Sequence, residues 1–193
     1  QMLENEELFN VFIKYSNSPL SPSFQYVLQH KAAFKEKYPQ MPIERVLNMN
    51  WMSYPRTMVK KNDDGTVTFD QKAMDAYVKE MKKWNVENRD EIVLLSDIHV
   101  AEATKNWREY AKLCSKYIKK FGENDMTIYN WVLRIQKNTE DPKVRKTAIK
   151  WMENRIKTYE KEEAKLPPLK EGEVRPAAMN FKPYYQKLIE DLK

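Results

Sequence analysis

The chain has 193 residues, of which 32% are charged and 41% hydrophobic, enough for one large domain or two small ones with a sizeable core. Its three glycines disfavour glycine-rich phosphate loops and a sheet-rich fold with many tight turns. A formal charge of +6 invites a nucleic-acid reading, but the bases alternate with acids along helical stretches (Lys79-Glu80, Arg108-Glu109, Lys161-Glu162), as on a solvated helix face.

In chain order, Glu4 to Tyr15 reads as a short helix with Leu8, Phe9, Phe12 and Ile13 on one side, broken at Ser16-Asn17-Ser18-Pro19. Ser21 is placed to cap a second helix with Pro22 at its first position. Phe24, Val27, Leu28 and Phe34 form its stripe, which runs to Tyr38-Pro39. Pro42 opens a third, with Ile43, Val46, Leu47, Asn50 and Trp51 on one face, and Pro55 closes it.

Thr57 to Phe69 is the one β candidate. Met58-Val59-Lys60 and Thr66-Val67-Thr68-Phe69 flank Asn62-Asp63-Asp64-Gly65, a pattern that fits a small hairpin or an irregular loop of equal length. Asp70 then caps a helix bearing Met74, Tyr77, Val78, Met81 and Trp84. Asn88 with Glu91 three residues later resembles a capping box at the head of a helix carrying Ile92, Leu95 and Ile98.

From Thr104 to Tyr159 the periodicity is strongest. Trp107, Tyr110, Ala111, Cys114, Tyr117, Ile118 and Phe121 recur at steps of three and four until Gly122. Ile128, Trp131, Val132 and Ile135 repeat the pattern, and so do Val144, Ala148, Trp151, Met152 and Tyr159 after Asp141-Pro142. Each set is an apolar stripe that a neighbouring helix must cover. Asp90 and Met126 begin comparable helices, with Ala111 and Ala148 equivalent in the second helix of each pair. That spacing is close to the tetratricopeptide unit of about 34 residues. Residues 166–179 are Pro-rich and read as a linker. Residues 180–193 form a last helix whose Phe181, Tyr184, Leu188 and Ile189 dock on the body.

Chemistry is sparse. The single cysteine excludes an internal disulfide and a Cys-x-x-Cys centre, and Cys114 on an apolar stripe is a buried, inert thiol. His99 has no second histidine or cysteine near it in sequence, so no metal is implied. Asp63-Asp64-Gly65 lacks the remaining ligands of a calcium loop. Ser53, Ser96 and Ser115 have no nucleophile-elbow context, and no catalytic motif or cofactor fingerprint is present. The five tryptophans, at 51, 84, 107, 131 and 151, sit at core spacing, and one or two of them could line a groove. The densest basic runs, Lys116 to Lys120 and Lys143 to Lys150, come with no reader motif, which disfavours nucleic acid. No run of about eighteen apolar residues exists to span a membrane, and no charged, apolar leader stands at Gln1.

Several runs resemble the helical region that follows the thioredoxin domain in a group of Bacteroidetes thioredoxin-family proteins. They are Leu8 to Tyr15 with Ser23 to Leu28 and Ala33-Phe34, then Asp97-Ile98 with Asn106-Trp107, Tyr110-Ala111 and Tyr117 to Gly122, and finally Asn130 to Val132, Glu140-Asp141 and Ala148 to Trp151. The resemblance implies a periplasmic or envelope-facing chain in which a redox domain precedes a tetratricopeptide-like module. The redox half itself, with its Cys-x-x-Cys, is absent here.

These readings converge on an all-α, right-handed helical-hairpin array, tetratricopeptide-like, over residues 1–165. The expected role is a non-catalytic scaffold or protein-interaction module whose partner is a protein, a peptide or an adjoining thioredoxin-like domain. The alternative is the substrate-holding part of a thiol–disulfide oxidoreductase. Stacked hairpins leave a concave side lined by the first helix of each pair, which singles out Arg89, Val93, Asn130 and Arg134.

Overall fold

In the computed structural model, which describes residues 5–15, 18–165 and 180–193, the apolar stripes become helices along most of the chain. The described residues form ten α-helices: α1 (Glu6–Tyr15), α2 (Pro22–Gln29), α3 (Lys31–Lys37), α4 (Ile43–Ser53), α5 (Gln71–Lys83), α6 (Arg89–Ala103), α7 (Trp107–Phe121), α8 (Asp125–Asn138), α9 (Pro142–Glu163) and α10 (Lys182–Leu192). A 3-10 helix (Tyr54–Met58) leads into a two-stranded antiparallel hairpin, β1 (Val59–Lys61) and β2 (Val67–Phe69). The class is therefore all-α with one small hairpin. The Pro-rich linker expected at 166–179 lies outside the described residues.

Contacts divide the chain into two compact units, residues 1–104 and 105–193. The boundary falls inside the 1–165 stretch that reads as one array. It also separates α6 from α7, the two helices that the repeat spacing pairs. Each unit closes its own core, and in the second unit α7 packs on α9 and meets α8 through Tyr117 and Trp131.

The first unit is built on a run of aromatic contacts. Phe9 of α1 stacks on Phe34 and Tyr38 at 4.5 and 5.0 Å between centroids. Phe24 of α2 meets Trp51 of α4 edge-on, and Trp51 in turn meets Tyr77 of α5. Tyr77 donates its hydroxyl proton to the carbonyl of Trp51, so a ring that burial would leave with an orphan hydroxyl finds an acceptor. Burial pushes the Tyr77 phenol well above its ordinary pKa, and the nearby Tyr54 adds to the shift.

Three local predictions meet different fates. The helix expected from Ser21 to Tyr38 breaks at His30 (φ −107°, ψ 20°), which ends α2 and starts α3. The break lets Phe24 and Val27 pack from one helix and Phe34 from the other, all three fully buried. The hairpin forms with register Val59↔Phe69, Lys60↔Thr68 and Lys61↔Val67. Its loop turns at Gly65 (φ 81°), where an L side chain would be strained. Asp64 accepts from the backbone and hydroxyl of Thr66, which is a turn device and not a calcium ligand set.

The Asp70 and Asn88 caps separate. The Asp70 carboxylate accepts from the Ala73 amide at 2.9 Å, whereas the Asn88 side chain makes no capping bond, so the capping box is not formed. Substituting Asp70 by Ala should therefore cost about 1 kcal/mol in urea melts, and Asn88→Ala close to nothing. Equal losses at both positions would contradict this geometry. Helix α5 ends with the Val86 amide donating to Met81 O and the Asn85 amide donating to Lys82 O. Asn85 takes the left-handed conformation (φ 49°) that this C-terminal motif requires. In α6, Ile92, Ser96, Leu94 and Ile98 are all buried, so apolar burial occurs on two sides. Leu95, assigned to a single stripe with Ile92 and Ile98, is only half-buried.

The second unit packs α7, α8, α9 and α10. The expected stripe of α8 (Ile128, Trp131, Val132, Ile135) is buried in full, and that of α9 is buried at Val144, Ala148, Trp151 and Met152 but only half-buried at Tyr159. Asn106, Asn124 and Asp141 each cap the following helix with a side-chain oxygen. Trp131 sits edge-on to Tyr117, and the Trp151 indole donates to Ser115 Oγ at 3.0 Å. At the ends the stripes shift. Phe121 is exposed, and in α10 Tyr185 is buried in place of Tyr184, which is 57% exposed. The phase of α10 follows Phe181, Tyr185, Leu188, Ile189 and Leu192, steps of three and four that leave Tyr184 on the outer side.

Asp125, the first residue of α8, ties this unit together. Arg155 of α9 grips its carboxylate with two bonds of 2.9 and 2.7 Å, and the hydroxyls of Tyr159 and Tyr185 donate to it at 2.8 and 2.9 Å. Burial alone would raise the Asp125 pKa, but Arg155 and the two hydroxyls outweigh it and hold the carboxyl below its ordinary value. The same carboxylate keeps Arg155 firmly protonated.

Candidate functional site

Among the reactive side chains singled out in the sequence, Ser96, His99, Cys114 and Ser115 lie on α6 and α7. Cys114 forms no disulfide and is fully buried. The hydroxyls of Ser96 and Ser115 donate to carbonyls one turn back in their own helices, at Ile92 and Ala111. His99 is half-buried, and among the described residues no group of three or more His, Cys, Asp or Glu could hold a metal ion. The Asp125 cluster has every carboxylate oxygen engaged, so it is a clasp and not a poised acid or base.

What remains is a groove in the first unit, with a volume of about 220 Å³. Its floor is Leu47 and Trp51 of α4 and Ile92 of α6, all buried as part of the core. Leu28 at the end of α2 and Met52, 53% exposed, add apolar surface along the sides. The turn between α5 and α6 supplies Trp84, Asn85, Val86, Glu87 and Asn88. Trp84 is held by its indole, which donates to Gln25 Oε1 at 2.8 Å and to Glu80 Oε2 at 3.2 Å. The left-handed turn at Asn85 is what brings this segment back across the end of α4.

Charge is placed on the rim. Lys35 and Lys31 both approach Glu44, at 3.0 and 3.8 Å. Hydrogen bonding to Lys35, and the charges of Lys35 and Lys31, hold the Glu44 carboxyl below its ordinary pKa. These exposed pairs stabilise little on their own, but they leave one more positive than negative charge on that side. Glu87 is exposed on the α5–α6 turn.

Two other depressions are formed otherwise. One, about 330 Å³, is lined by the single segment 38–45 with Lys35, and the other, about 340 Å³, by the start of α9 and the end of α10. Neither has a tryptophan, and neither has the multi-element apolar floor that ligand sites use.

The four residues expected to line a concave side fall in two places. Arg89 and Val93 lie one turn apart on α6 in the first unit, and Asn130 and Arg134 one turn apart on α8 in the second. Val93 packs against the first unit's core, and Asn130 and Arg134 are exposed. None of them lines the groove. Its own residues carry a weak sequence signal: Trp51 and Trp84 stand at core spacing, and Asn85 and Asn88 mark a turn. Nothing in the order of residues brings that turn to the end of α4.

The fold and groove define a small helical protein with an apolar recess rimmed by charge. Compared with known proteins, the chain matches no family model, no curated sequence and no solved structure. No helix among the described residues is long and apolar enough to cross a membrane.

Proposed function

We propose that this chain is a non-catalytic scaffold or protein-interaction module, which accompanies a thioredoxin-like redox domain in the cell envelope and receives a protein or peptide partner in the groove beside Trp51 and Trp84. The observation that carries the interaction reading is a recess whose floor is continuous with the core while Met52 and Trp84 remain accessible at its edge. Methionine and tryptophan suit such a role: one adapts to the shape of an incoming side chain, the other offers a large, rigid apolar face. A volume of about 220 Å³ is below the roughly 300 Å³ at which drug-sized ligands are held, which favours side chains of a partner over a whole cofactor. The association with a redox domain and the envelope location rest on the resemblance of runs such as Leu8 to Tyr15 and Tyr117 to Gly122.

The test is selection of a random heptapeptide phage library on the full chain, with counter-selection on Met52→Glu. Because Met52 is exposed, the variant should keep the wild-type melting profile while losing peptide binding. A library that yields no binders, or binders indifferent to Met52→Glu, would remove the groove as the interaction site.

A further inference from the structure

The groove carries more information than its apolar floor. Asn48, Asn85 and Asn88 line it, are exposed, and their side chains make no hydrogen bond among the described residues. A primary amide presents one donor edge and one acceptor, the same pair that a peptide group presents. Amides beside an apolar pocket can therefore hold the main chain of an extended segment while the pocket takes a side chain, with main-chain bonds giving affinity and the pocket giving specificity. The volume of about 220 Å³ admits one large apolar side chain.

The rim adds a direction. Glu44 is held at 3.0 Å by Lys35, which belongs to the neighbouring depression, and stands 3.8 Å from Lys31 on the groove rim, so Lys31 is left only partly compensated on the α3 side, while Glu87 on the α5–α6 turn has no ion-pair partner among the described residues. Opposite charges on a ligand would complement these two positions and fix its register.

We infer that the groove binds an extended peptide segment with one large apolar residue in the pocket, an acidic residue toward Lys31 and a basic residue toward Glu87, its main chain held by Asn48, Asn85 and Asn88. This rests on the interaction-module reading above and narrows it to one class of ligand. The apolar anchor enters between Trp51 and Trp84, and the amides exchange water for main-chain groups at little cost, since both are already hydrated.

The experiment uses fluorescein-labelled hexapeptides with a central leucine, flanked by aspartate on one side and lysine on the other, in both chain directions. Controls have serine in place of leucine, or two charges of one sign. Anisotropy titrations on the full chain should show one charge order binding about tenfold more tightly than the reverse and than every control. The double variant Lys31→Glu, Glu87→Lys should invert that preference, and Asn48→Ala, Asn88→Ala should weaken the preferred peptide by about tenfold without changing the melting temperature. Affinity that ignores charge order, or that survives loss of the amides, overturns the proposal. So does absence of binding to the whole set. If the random library yields groove-dependent peptides that lack this pattern, the ligand class is wrong while the interaction module stands; if it yields none, the broader reading fails first.

Discussion

Asp125→Ala is expected to destabilise the protein by about 3 kcal/mol, because it takes the two-bond partner from a largely buried guanidinium and leaves Arg155 only its single bond to Glu123 at 3.1 Å. The Arg155 side chain is 14% exposed and that of Asp125 18%, so the guanidinium cannot simply return to water when its partner is removed. Two phenol hydroxyls lose their acceptor at the same time, although Tyr185 retains the Asp125 carbonyl at 3.0 Å. Tyr185→Phe should cost less, about 1 kcal/mol, the worth of a typical hydrogen bond. Urea denaturation measures both, and amide exchange should localise the Asp125→Ala effect to α8, α9 and α10. A loss near zero would mean that the clasp is only a surface pair.

The same carboxylate predicts an acid limb. Its folded pKa lies below the ordinary value, so its contribution is present above the unfolded carboxylate range near pH 4 and disappears as pH falls through the folded value. Stability in the wild type should therefore drop more steeply below about pH 4 than in Asp125→Asn. Parallel acid limbs in the two proteins would contradict the shift.

Trp51→Ala is expected to be comparably severe, about 3–5 kcal/mol by the usual cost of emptying an aromatic core site. Trp51 is 2% exposed and contacts Phe24 and Tyr77, so its removal opens a cavity at the junction of α2, α4 and α5. For a unit of this size, about 3 kcal/mol lowers the melting temperature by more than about 10 °C. Hydrogen exchange should rise first in α4 and α5. Met52→Ala, one position further on but exposed, is the control and should leave the melt within about 0.5 kcal/mol of wild type. If the two variants melt alike, the groove floor is not part of the core.

Much of the local structure was legible because its causes are local. Ser21, Asp70 and Asp141 cap helices because a short side-chain oxygen reaches an amide two or three residues ahead. The stripes of α8 and α9 were legible because four apolar residues at helical spacing leave only one face to bury. Asn88 failed as a cap although its sequence pattern was right, since its backbone (φ −92°, ψ 24°) is not in the extended conformation that capping residues usually adopt. Tyr184 and Tyr185 are adjacent and chemically identical, so only the packing of α10 on α8 and α9 could decide which ring is buried.

By itself, then, the sequence determined that this is a helical protein and where most helices begin and end. These follow from side-chain shape, backbone preference and the 3.6-residue period. The tertiary structure decided the division between α6 and α7, the break at His30, the Asp125–Arg155 clasp and the groove. Each depends on residues far apart in the chain, such as Arg155 reaching Asp125 or the Asn85 turn meeting the end of α4. No local pattern encodes such meetings, because they are fixed by which apolar faces find each other when the core closes.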